Sequence, residues 1–295
     1  MKPEIECLRC ILSVRLREIE QANLSKEEKL HLAKMLISKM LEEFNWDVEL
    51  TRLASELFNY VVKSAPGVVE YYRSIKRASN RIALENISVH RDYALKLKGF
   101  ERFHYLVKLS AVANLIDYGV ADHKPLQDTL TPDVVEKREV ARDDSLDFYN
   151  TVVRGGLKLV WLFDNSGEAV YDTLLIEELR KMSNKVYGLV KEEPGFQNDI
   201  SLVDAEEMGL SNVLDGVISY GCHCSTIHLE HISREVRDLI NSSDIVVAKG
   251  MSHFEYLSEV ELGKPTLFVL VPKCDPVARR IGGDSRGKIV IYFKK

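Results

Sequence analysis

Long apolar runs are missing from this 295-residue chain. None approaches the roughly 20 residues a helix needs to span a bilayer. The opening residues, MKPEIECLRC, contain no apolar signal core, so the expectation is a cytoplasmic protein without a membrane partner. Cysteine is sparse and odd in number, five in all, which is not the make-up of a disulfide framework. A surplus of one charge is lacking too. The net charge of −5 is spread along the chain and offers nucleic acid no basic tract. Glycine is scarce in the first half, and two glycine-rich phosphate-binding patterns are absent: the dinucleotide-binding triad and GxxxxGK[ST]. There is no GxSxG elbow. The aspartate-nucleophile phosphatase pattern also fails, because Ser166 and Glu168 stand where its second aspartate and its Thr or Val belong.

What is present divides into two textures. Residues 6–23, 26–43 and 47–64 carry apolar positions at spacings of three and four, which predicts amphipathic helices. NLSKEEKL supplies a serine followed by acids, a helix start. YRSIKRASNRIALE and ERFHYLVKLSAVANLIDYGV continue the helical reading, and 121–144 reads as a polar connection with a short helix. From about Lys158, short β-rich runs appear: LKLVWLF, KVYGLV, DGVISY, DIVVAK, TLFVLV and KIVIYF. Helical patterns separate most of them, which implies parallel strands covered on both faces. The expected fold is therefore α/β: a helical N-terminal region, residues 1–150, flanking or lidding the pocket. An α/β/α sandwich with a mostly parallel sheet, 151–295, follows it.

In such sheets ligands bind beyond the carboxyl ends of the strands, so the residues after each strand are the candidates. Asp164-Asn165-Ser166-Gly167-Glu168 follows the first run and Asn198-Asp199 comes after the second. GCHCST follows the third, Lys249-Gly250-Met251-Ser252-His253 the fourth and Pro272-Lys273-Cys274 the fifth. Asp164, Asn165 and Asp199 are oxygen donors suited to a hard divalent cation, magnesium or manganese. Such an ion polarises a phosphoryl oxygen and activates a water. Lys249 and Lys273 would neutralise phosphate charge, amides near Gly250 would add donors, and Glu168 would act as general base or hold a water. Each element has a plainer use. Asp164 with Ser166 would cap a helix starting near Glu168, Asp199 would cap one starting near Ser201, and Lys249 alone would be solvated.

LFDNSGEAVYD, PGFQNDISLVDAEEMGL, AKGMSHFE and VPKC, in that order, resemble the metal-dependent damage-control phosphatases, known also as domain-of-unknown-function family eighty-nine. CLRC at Cys7–Cys10, YRSIKRASN and NLIDYG resemble its prokaryotic branch, and the likeness covers nearly the whole chain. The resemblance implies a helical region on an α/β/α sandwich and hydrolysis of phosphomonoesters of small metabolites with a divalent metal. It puts the metal ligands on Asp164, Asn165 and Asp199 and the phosphate-contacting lysine on Lys273. The Lys-Gly loop falls on Lys249-Gly250, and Asn114 and Asp117 fall on the segment bordering the pocket. Ser252 fits the family's small position, while His253 stands where an asparagine is usual, which bears on substrate preference. His253 would contact substrate, add a nitrogen ligand tilting the site toward cobalt or nickel, or start a helix facing solvent.

Cys7 and Cys10 give two of the four ligands of a structural zinc site, which Cys222, Cys224 or Cys274 would have to complete. Redox control and buried free thiols are the other uses. Two further functions remain open on the sequence. One is a carboxyl methyltransferase using S-adenosylmethionine, an activity attached to a branch of the family. The other is a non-catalytic binder of a metal or phosphometabolite whose helical half docks a partner.

Overall fold

The structure, a computed structural model, describes residues 1–121, 123–124 and 130–295. Helices α1 (Ile5–Gln21), α2 (Lys26–Glu43), α3 (Leu50–Ser64), α4 (Gly67–Lys96) and α5 (Gly99–Ala113) fill the first part, and α6 (Pro132–Lys137) is the short helix expected in the connection. Residues 122 and 125–129 of that connection lie outside the described residues. The helix start at NLSKEEKL is a reciprocal cap: Ser25 accepts from the Glu28 amide and Glu28 accepts from the Ser25 amide. Next come β1 (Val140–Asp143), α7 (Ser145–Val152), β2 (Lys158–Leu162), α8 (Glu168–Lys181), β3 (Lys185–Val190), α9 (Leu202–Glu207) and β4 (Gly216–Ser219). The chain continues through α10 (Arg234–Asn241), β5 (Ile245–Lys249), α11 (Gly250–Leu257), β6 (Thr266–Leu270), α12 (Asp275–Ile281) and β7 (Ile289–Lys294).

The seven strands form one sheet in the order β1-β7-β6-β5-β2-β3-β4, parallel except where β6 meets β7. Alternate residues of each central strand enter different cores. Leu159, Trp161 and Phe163 pack with α4, α5 and α8, whereas Val160 and Leu162 pack with α10, α11 and α12. Two buried faces explain why these strands read as unbroken apolar runs. A third core joins α1, α2, α3 and the start of α4 around Leu36, Leu57, Phe58 and Val61. It takes in Phe196, from the loop after β3, so the helical bundle is fastened to the carboxyl edge of the sheet.

Strand β1 and helices α7 and α12 have no counterpart in the sequence reading. Strand β1 falls in the segment read as a connection, and all four of its residues are exposed. An edge strand that buries no side chain has no apolar alternation to betray it. Helix α12, under CDPVARRI, buries only Pro276, Val277 and Ala278 and is equally faint in the sequence.

Candidate active site

Sheet register assembles the site. Leu162 pairs with Ala248 on one side and Leu189 on the other, so Asp164, two residues on, lies level with Gly250 and Lys191. The chain after β3 then folds back, and isolated bridges set Asn165 against Asp199 and Lys191 against Ser201. Asp164 and Asp199 thereby become neighbours although 35 positions separate them in sequence. Gly250 makes this fit possible. A Cβ there would fall 1.8 Å from Asp164 Oδ2, and its φ of +77° is one that side-chain-bearing residues rarely adopt.

Helix α5 ends at the same place. The Asn114 amide donates to Asp164 Oδ2 at 2.9 Å and to Glu168 Oε2 at 3.0 Å, and the Asn165 amide donates to the same two oxygens at 2.9 and 2.8 Å. Asn198 Nδ2 donates to Asn165 Oδ1 at 2.9 Å. Lys273 donates to Asp117 at 2.7 Å and to Asn114 Oδ1 at 3.1 Å. Lys191 donates to the Ser225 carbonyl oxygen at 2.7 Å and lies 3.1 Å from Asp199. The carboxylate of Asp117 stays below its usual range because Lys273, aided by the Gly119 amide, outweighs burial.

Neither plain capping role is used. The turn before α8 ends in Gly167, and no side chain caps that helix. Gly167 instead donates to Asn80 of α4 at 2.6 Å, where a Cβ would crowd Ser79 at 2.9 Å. Helix α9 is capped by Ser201 with Asp204, which leaves Asp199 to face Asp164. Lys249 is not solvated. It is fully buried, donating to Ser110 Oγ at 2.8 Å and Asp172 at 3.0 Å, with Glu168 Oε1 at 2.8 Å. Burial works to lower its pKa, but the Asp172 and Glu168 carboxylates prevail and hold it above the ordinary lysine value.

Five buried carboxyl groups (Asp117, Asp164, Glu168, Asp172 and Asp199) thus face three buried ammonium groups (Lys191, Lys249 and Lys273), a shortfall of two positive charges. The shortfall appears in the acids themselves. Burial, then Asp199 and Glu168, push Asp164 well above the usual carboxyl range. Burial raises Asp199 to about 7 and Asp172 to about 6 even with lysines beside them. Among the described residues, no three His, Cys, Asp or Glu side chains gather as a ready-made metal cluster. The third donor beside Asp164 and Asp199 is an amide, Asn165. Hard oxygen donors lacking two positive charges fit a divalent cation.

Of the remaining candidates, Ser252 is half-buried and lines a cleft of about 120 Å³ between α1, α3 and α11. His253 is fully buried rather than solvent-facing. Its Nδ1 bonds the Lys249 carbonyl oxygen at 3.0 Å, its Nε2 has no partner among the described residues, and burial pushes its pKa well below the usual value. Cys7, Cys10 and Cys274 are thiols along that cleft. Cys222 and Cys224 form a disulfide, which removes them as candidates to complete a zinc site with Cys7 and Cys10; two cysteines separated by one residue fall outside the spacings that signal a framework. Sequence reasoning left Lys191, Asn198 and Asp172 unassigned. Lys191 directly follows β3 and was open to the strand-end rule, while Asp172 lies one turn beyond Glu168 on α8.

With this geometry, the sheet and its carboxyl edge define an α/β/α protein with an acid–amide–lysine centre. The chain belongs to the family described as damage-control phosphatase ARMT1-like domain, whose model matches residues 4–289. A damage-control phosphatase of Archaeoglobus fulgidus is 31% identical over 76% of this chain and 77% of its own length. One from Pyrococcus horikoshii is 29% identical over 95% and 94%. An uncharacterised protein of Methanocaldococcus jannaschii is 26% identical over 99% of this chain and 95% of its own. The crystal structure of a DUF89 family protein from Pyrococcus horikoshii superposes with a TM-score of 0.83, covering 100% of both chains at 29% identity.

Proposed function

We propose that the protein is a divalent-metal-dependent phosphatase acting on small phosphorylated metabolites. The observation that carries this reading is the buried Asp164–Asp199 pair, with Lys273 near it, in a cluster whose five carboxyl groups face only three ammonium groups. The names of the Archaeoglobus and Pyrococcus relatives support the phosphatase class. Asp164, Asn165 and Asp199 would hold magnesium, manganese, cobalt or nickel, which when bound supplies a Lewis acid and a more acidic water.

The chain's own groups do the rest. Lys273, steadied by Asp117 and Asn114, donates to the phosphate and balances the charge that builds as phosphate leaves. Glu168 orients Asn114 and Asn165 and, through them, the water. Lys249 serves as the buried counter-ion that holds Glu168 and Asp172 in place rather than as a phosphate contact. Gly250 admits the Asp164 carboxylate against the backbone, and Ser252 faces the substrate cleft. Residues 1–150 flank that cleft through α1 and α3.

The test is phosphate release from an aryl phosphate and a panel of sugar phosphates, metal-free and with each of the four ions. Asp164→Ala, folded, is expected to lose turnover by at least 100-fold, on the order of what removal of one charge-stabilising group costs. Turnover by the variant at wild-type rate would remove this site from consideration.

A further inference from the structure

Outside the metal-and-phosphate centre, one buried cation has more donors than partners. Arg15, on the cleft-facing side of α1, is only 3% exposed and lines the same cleft as Ser252. Its Nη2 lies 2.9 Å from Glu18, but among the described residues its Nε and Nη1 have no hydrogen-bond partner, Glu18 Oε2 being likewise unpaired. Phe58 and Phe196 flank the guanidinium at 5.0 and 5.6 Å from their centroids, which fixes its plane and leaves its edge unused. Burying such donors without acceptors is unfavourable, so the site is built for a group that arrives later.

Glu18, fully buried, has both Arg15 and Arg17 near it; Arg17 donates to the Tyr118 carbonyl oxygen, and Glu6 and Glu255 line the cleft as well, so Arg15 is the cation in it with donors to spare. Glu18 Oε1 already accepts from the Tyr72 hydroxyl at 2.7 Å and lies 3.4 Å from Gln197 Nε2. Gln197, which also lines the cleft, stands two residues before Asp199, with a left-handed φ of 51°, and ties this pocket to the loop that carries Asp199.

We infer that Arg15 forms a second anion subsite in the cleft, so that the preferred substrates carry a carboxylate or second phosphate besides the phosphate that is hydrolysed. The inference rests on the phosphatase reading for its substrate class but not for its test. Two matched pairs serve as probes: glycerol 3-phosphate against 3-phosphoglycerate, and fructose 6-phosphate against fructose 1,6-bisphosphate. In each pair the second member adds one anion, and comparing the pairs separates a carboxylate site from a phosphate site.

The wild-type enzyme is expected to favour the doubly anionic member of at least one pair in kcat/KM. Arg15→Gln is expected to reduce that preference on the order of 10- to 100-fold, mainly through KM, with Arg15→Lys restoring part of it. A merely structural arginine would weaken both members equally and leave the ratio alone, and that result would overturn the inference. So would a wild-type preference at or below one, which needs no variant to fold. If no phosphate is released with any metal, the phosphatase reading fails separately, and calorimetric affinities for the same pairs decide: tighter binding of the second anion, lost in Arg15→Gln, upholds the subsite, and equal affinities refute it.

Discussion

Gly250 shows how narrowly a single residue controls this site. Its Cα hydrogen faces the Asp164 carboxylate, and a methyl group there would overlap Oδ2. Gly250→Ala is therefore expected to displace Asp164, lowering phosphate release by at least 100-fold and stability by about 1–3 kcal/mol, read by enzyme assay and urea titration. Glu255, beside the cleft, provides a second residue-scale test. Burial, with help from Glu49, raises its carboxyl to about 7. An acid whose folded pKa lies above its unfolded value favours folding while protonated. That contribution is complete below about pH 4.5 and is lost as pH rises through about 7. Glu255→Gln is expected to remove the loss, gaining roughly 2–3 kcal/mol over the wild type at pH 8 but little at pH 4. Equal pH slopes for the two proteins, in denaturant titrations from pH 4 to 8, would show the carboxyl to be ordinary.

At the scale of elements, the decisive joint is between α4 and the turn entering α8. Asn80 accepts from the Gly167 amide at 2.6 Å, deep in the structure. Asn80→Ala leaves that donor unpaired, and a loss of about 1–3 kcal/mol with reduced turnover is expected. An unchanged melting curve would deny the joint its importance. Most elements were legible beforehand. The spans 26–43 for α2 and 185–190 for β3 coincide with the observed ones, because an amphipathic helix and a doubly buried strand write their surroundings into the apolar pattern. Strand β1 escaped because its side chains bury nothing, and the antiparallel β6–β7 pairing leaves no mark on either strand's composition. Asp164, Asn165 and Asp199 were legible as strand-end donors, and Lys191 was open to the same rule, whereas Asp172, inside α8, was not. Which carboxylates the lysines face follows only from the register of β2 between β3 and β5.

For the whole molecule, the charge shortfall links ligand and fold. Buried groups from both halves share the site: Ser110, Asn114 and Asp117 from one, and Asp164, Lys249 and Lys273 from the other. A divalent ion at 100 times its dissociation constant is expected to add about 2.7 kcal/mol, on the order of 5 °C in melting temperature. Asp164→Ala should show no such rise. A metal-independent melting temperature in the wild type would mean the two surplus charges are balanced in another way.

The sheet order also bears on how the chain comes into being. Strand β1 has a single neighbour, β7, which is synthesised 149 positions later and must slot between β1 and β6. Until then β1 waits without a partner, and the apolar β6 presents a bare edge to other nascent chains. Ribosomes that stall between these strands would release a fragment whose sheet is open along β6. Strand β7 is thus also the cover of the apolar β6 edge.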